Sequence, residues 1–119
     1  MADKSDDAKP IEVEQADGVI IARPKLKMVD DDALKTLGRM VAEASEAHAG
    51  TGLVVLDMSS VMIMPSMALG ELLQLMNECA ARQQKLKLAA VHPQLRRVFA
   101  ITRLDRVFQF ADTVETARE

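Results

Sequence analysis

A chain of 119 residues has room for one domain of ordinary size, roughly 100 to 150 residues, and not for two. Hydrophobic residues make up 49% of it, enough to build a core without disulfides or a structural metal, and the single cysteine, Cys79, excludes an intramolecular bridge and fits a reducing, cytoplasmic setting. The formal charge of −3 argues against a nucleic-acid partner, because phosphate-tracking proteins carry a positive excess. No apolar run approaches the roughly 20 residues that span a bilayer, so direct membrane insertion is not expected. The opening Met1-Ala2-Asp3-Lys4 also lacks the basic and apolar regions of a secretory signal.

Residues 1–10 are charged and poor in apolar side chains, which predicts a flexible tail, with one folded domain over 11–119. Ile11 and Val13 alternate with Glu12 and Glu14, Asp17-Gly18 supplies a hairpin turn, and the β-branched run Val19-Ile20-Ile21 follows; two antiparallel strands are expected. Asp30, Asp31 and Asp32 offer an N-cap and first-turn carboxylates for a helix with Leu34, Leu37, Val41 and Ala44 on its apolar face, stopped by Gly50. Leu53-Val54-Val55-Leu56 reads as a central strand covered on both sides. A second helix is expected from about Ser66 to Gln84, on the spacing of Leu69, Leu72, Leu73, Met76, Cys79 and Ala80. Leu86 to Val91 make another buried strand. Pro93 then opens a short helix, Val107, Phe108 and Phe110 a last strand, and Thr113 to Arg118 a final helical turn. The fold class is α/β, with a mixed β-sheet, helices packed on it, and the order β-β-α-β-α-β-α-β-α.

The supply of reactive residues is thin, and an enzyme is not expected. His48 and His92 are the only histidines, and neither stands in a metal-binding or catalytic spacing. Cys79 lies on the apolar face of the second helix and reads as a small buried hydrophobe. Phosphate-cradling glycine loops are absent. No metal and no cofactor are implied. Asp30 to Asp32 are explained by helix capping, and Arg96, Arg97, Arg103 and Arg106 form a basic cluster that is either a solvated face or a docking patch.

The segment from Asp57 to Gly70 is less easily explained by packing, because Met58, Met62, Met64 and Met67, half of the eight methionines, fall within it. Flexible thioethers suit either an adaptable contact surface or the filling of core gaps. Ser66, directly after Pro65, is expected at the helix start, where serine is a common N-cap. A phosphate on Ser66 would carry about −1.5 to −2 charges and face free N–H groups at the positive end of the helix. A partner lying over apolar neighbours would then have to desolvate that charge. Met67 is accordingly expected exposed beside Ser66, with Leu69, Leu72 and Met76 buried.

The runs Val55-Leu56-Asp57-Met58-Ser59-Ser60-Val61, Pro65-Ser66-Met67-Ala68-Leu69-Gly70 and Leu104-Asp105-Arg106-Val107-Phe108 resemble the STAS domain of bacterial anti-sigma-factor antagonists, over nearly the whole chain from Ile11 onward. The resemblance implies partner switching. Unphosphorylated protein binds a serine kinase that is also the anti-sigma factor, phosphorylation at the position of Ser66 releases it, and a phosphatase can reverse the change. It further implies a contact surface on Met64, Pro65, Met67 and the loop from Lys27 to Asp32, which includes Met28, Asp30 and Asp31. The motif departs from the family's at Pro65, Met67 and Ala68, which stand for aspartate, serine or threonine, and glycine. Arg103 stands for a frequent glycine, so the third helix is expected to end without a left-handed cap. The alternative is a non-catalytic STAS scaffold subunit of a stress-signalling or lipid-transport complex. The oligomeric state is left open.

Overall fold

The computed structural model describes residues 10–119; the expected tail, apart from Pro10, lies outside them. Strands β1 (Ile11–Ala16) and β2 (Val19–Pro24) pair antiparallel, with Ala16 opposite Val19 and Ile11 opposite Pro24. Asp17 and Gly18 both take positive φ, 57° and 78°, as a two-residue turn matched to the strand twist requires. The structured chain already includes Pro10, whose carbonyl accepts from the Lys25 N–H at 2.6 Å.

Helix α1 (Asp31–Ala47), β3 (Leu53–Asp57), α2 (Ser66–Ala81), β4 (Lys85–Ala89), α3 (Pro93–Ile101), a 3-10 turn (Leu104–Arg106), β5 (Gln109–Ala111) and α4 (Val114–Ala117) follow. The five strands lie in the order β1-β2-β3-β4-β5, and β2 to β5 run parallel. The element order and the mixed sheet are those expected from the sequence.

Period-two alternation divides the core between the two sheet faces. Ile20, Ala22, Val54, Leu56, Leu86 and Leu88 meet Leu37 and Val41 of α1, Leu69, Leu72 and Cys79 of α2, and Leu95 and Phe99 of α3 in one cluster. Val19, Ile21, Val55 and Ala89 face the other way and are covered by α4 through Val114 and Ala117. Burial on both faces is why β3 reads as an unbroken apolar run. The three phenylalanines close one end of the larger cluster, with Phe99 edge-on to Phe108 at 5.9 Å and to Phe110 at 5.5 Å.

Several boundaries differ from expectation for one reason: side-chain-bearing residues take the left-handed conformation. Helix α2 ends at Ala81, short of Gln84, because Gln83 turns at φ 63°. Gln84 is thereby buried, donating from Nε2 to Ser45 Oγ at 2.9 Å and to the Thr51 carbonyl at 3.3 Å. Strand β4 ends at Ala89, short of Val91, because Ala90 turns at φ 59° and donates to the Ala111 carbonyl at 3.1 Å. Arg103 has φ 64°, so a left-handed residue follows α3 after all and leads into the 3-10 turn. Val107 closes that turn and lies outside β5.

Candidate functional site

Because β2, β3 and β4 are parallel, the loops leading to α1, α2 and α3 all emerge at one edge of the sheet, beyond the strands' carboxyl ends. In open α/β sheets that edge is where functional loops collect. Two of these loops are fastened by backbone hydrogen bonds. Met62 N–H and Ile63 N–H donate to the Lys27 carbonyl at 2.7 and 3.1 Å, and Val29 N–H donates to the Ile63 carbonyl at 3.0 Å. The result is an isolated parallel bridge between Met28 and Ile63.

Met28 and Ile63 are each 49% exposed and Met67 is 71% exposed, an unusual concentration of apolar surface beside one helix start. Leu69 and Leu72 are buried and Met76 is half-buried. Met64 differs from its expected role: it is 6% exposed and belongs to the main core, so it fills space beneath the surface. The bridge to Met28 fixes which side chains of the loop turn outward, and Ile63, which the sequence reading passed over, takes the exposed position.

Ser66 is exposed and is the first residue of α2, not its N-cap. The N-cap is Pro65, at φ −63° and ψ 163°, which has no capping side chain. Ala68 N–H and Leu69 N–H return to the Pro65 carbonyl at 2.9 and 3.3 Å, while those of Ser66 and Met67 find no acceptor among the described residues. On the neighbouring loop, Asp30 caps α1 as expected, accepting from Ala33 N–H at 2.9 Å. Asp31 is half-buried and Asp32 exposed in the first turn.

Comparison with protein families matches residues 10–117 to the STAS domain. The chain belongs to the STAS domain family. Solved STAS structures share its fold at low identity. An anti-sigma factor antagonist from Mycobacterium paratuberculosis superposes with a TM-score of 0.73 at 22% identity, over 91% of this chain and 89% of that one. The phosphorylated form of SpoIIAA, a Bacillus cell fate determinant, gives 0.63 at 19% identity over 88% and 94%. The murine anion transporter Slc26a9 gives 0.73 at 15% identity over 88% of this chain but 18% of its own length.

The other singled-out residues lie partly at this edge and partly away from it. His92 is the N-cap of α3, and its Nε2 lies 3.0 Å from the Ser59 carbonyl, tying the loop after β4 to the loop after β3. Cys79 is fully buried, and burial raises its thiol pKa above the ordinary value. No group of three or more His, Cys, Asp or Glu side chains gathers in a metal-binding arrangement among the described residues, and no helix there is long and apolar enough to cross a membrane. All four arginines of the basic cluster are exposed, and Arg96 lies 4.3 Å over the Phe110 ring.

Proposed function

We propose that this STAS domain is a cytoplasmic anti-sigma-factor antagonist that binds a serine kinase acting as anti-sigma factor, and that phosphorylation of Ser66 ends the binding. The observation that carries the reading is the exposed Ser66 at the start of a 16-residue helix, beside the solvent-facing Met67, Pro65, Ile63 and Met28. Phosphoryl transfer belongs to the partner: Ser66 Oγ forms the bond to the γ-phosphorus of the kinase's ATP, its proton leaves, and ADP departs. A phosphatase restores the hydroxyl by hydrolysis. SpoIIAA, a protein of the same fold, has been solved both unphosphorylated and phosphorylated, which supports a fold able to carry the group.

The energetics favour a switch confined to the surface. A dianion at a helix start interacts favourably with the dipole, by about 0.3 to 1 kcal/mol, so the domain stays folded. A partner covering Met67 and Ile63 would have to strip water from that dianion, which costs far more than the apolar contact returns. Ser66→Asp is expected to weaken recovery of the kinase from native cells while Ser66→Ala retains it, both variants melting within a few degrees of the parent. Equal kinase recovery from both variants would reject the switch and favour the scaffold reading.

A further inference from the structure

The described residues include five large hydrophobic side chains that stand well exposed, and they divide between the two ends of the sheet. Met28, Ile63 and Met67 occupy the carboxyl edge. Ile101 and Val107, 77% and 43% exposed, occupy the opposite edge, where α3 ends and the chain turns back into β5. The charges near the two patches differ in sign. Asp30, Asp31 and Asp32 adjoin the first, with Lys27 and Lys35 nearby, whereas Arg97, Arg103 and Arg106 adjoin the second, with Asp105 as the acid. Arg103 is held there at positive φ, a conformation costly for a residue with a Cβ, and it presents a guanidinium where glycine would be relaxed.

We propose that the domain self-associates head to tail, the Ile101 and Val107 patch of one copy seating against the Met28, Ile63 and Met67 patch of the next. The matching is apolar to apolar at the centre and guanidinium to carboxylate at the rim, as protein interfaces are commonly arranged. Because the two patches differ and lie at opposite ends, the contact is heterologous, and repetition yields a chain or ring instead of a closed two-fold dimer. The proposal rests on the same carboxyl-edge patch as the proposed kinase contact, so kinase and second copy compete for it.

The test uses the purified 119-residue chain without any partner. Sedimentation equilibrium from micromolar to millimolar concentration is expected to give a mass rising above the 13.1 kDa monomer, and less so when salt is raised from about 0.05 M to about 0.5 M. Arg103→Glu with Arg106→Glu blocks one end, and Met67→Lys blocks the other. Each variant alone is expected to stay monomeric, while their equimolar mixture forms a dimer and nothing larger, each supplying the end the other lacks. Circular dichroism melts confirm that both variants are folded, and Ile101→Asp with Met28→Lys provides a second pair should either fail. A wild-type mass fixed at the monomer value overturns self-association and leaves the Ser66 reading standing. A mixture that stays monomeric, or single variants that still dimerise, overturns the head-to-tail geometry.

Discussion

Met64 and Met67 are three residues apart and are expected to answer to different measurements. Met64 is 6% exposed within the main core, Met67 71% exposed on the first turn of α2. Truncating a buried methionine to alanine costs about 2 to 5 kcal/mol, the sum of lost transfer energy and a cavity. Met64 belongs to the loop between β3 and α2, where the backbone is freer to close around a smaller side chain, which puts Met64→Ala near the lower end, about 2 to 3 kcal/mol, or a melting temperature lower by roughly 10 °C. Met67→Ala removes a side chain that is mostly in water and is expected to cost under about 1 kcal/mol, part of it returned by alanine's helix propensity. Binding reverses the order. Full burial of methionine is worth about 1.5 to 3 kcal/mol, so covering the exposed part of Met67 contributes about 1 to 2 kcal/mol, a roughly 5- to 30-fold change in Kd. Urea denaturation of each purified variant gives the first pair of values, and calorimetric titration with the kinase recovered from native cells gives the second. Met64→Ala unfolding within about 0.5 kcal/mol of the parent would refute the core role of Met64, and Met67→Ala binding as tightly as the parent would refute the contact role of Met67.

Arg103→Gly relieves a left-handed residue, a strain of about 1 to 2 kcal/mol, and returns about 0.5 to 1 kcal/mol to unfolded-chain entropy. A net gain of about 0.5 to 1 kcal/mol is expected in dilute, high-salt urea melts, where Arg103→Ala should give none; equal effects of the two would remove the strain argument. Burial raises the Cys79 thiol pKa above its unfolded value, so the folded state holds that proton more tightly. The resulting stabilisation is complete below the unfolded thiol's value, about 8.5, and is lost as pH rises through the higher folded value. Stability curves from pH 7 to pH 10 should therefore fall more steeply for the parent than for Cys79→Ala, and parallel curves would count against a buried thiol.

What was legible in the sequence follows from where the determining interactions lie. Periodicity and turn chemistry are local, so the hairpin at Asp17-Gly18, the cap at Asp30 and the apolar run of β3 could be read directly. The ends of α2, β4 and α3 could not, because Gln83, Ala90 and Arg103 adopt left-handed backbone without the glycine that normally marks it. Tertiary bonds compensate at two of these places: Gln84 is drawn into contact with Ser45 and Thr51, and Ala90 N–H reaches the Ala111 carbonyl. The candidate site shows the same division. Ser66 and Met67 were found from their place at a helix start, whereas the choice of Ile63 over Met64 as the outward residue depends on a bridge to Met28, 35 positions away in sequence. Nothing within the loop itself encodes that parity.

Pro65 bears on the proposed switch in a way that composition alone does not reveal. An aspartate at the N-cap accepts from the amides of the first helical turn, so its carboxylate both occupies those donors and repels a second anion placed beside it. Proline does neither: its fixed φ matches the −63° found here, and its ring offers no acceptor. The N–H groups of Ser66 and Met67 therefore stay without partners among the described residues, at the end of α2 where the helix dipole is positive. A phosphate on Ser66 would supply the missing acceptors and meet no carboxylate on the preceding residue. The substitution thus shifts the balance of the site: it removes a group the unmodified helix would use and leaves the donors to the modified one. Under the proposed phosphorylation, the difference between the two states would be set by the backbone amides and the exposed apolar patch, with no side-chain cap to be displaced first.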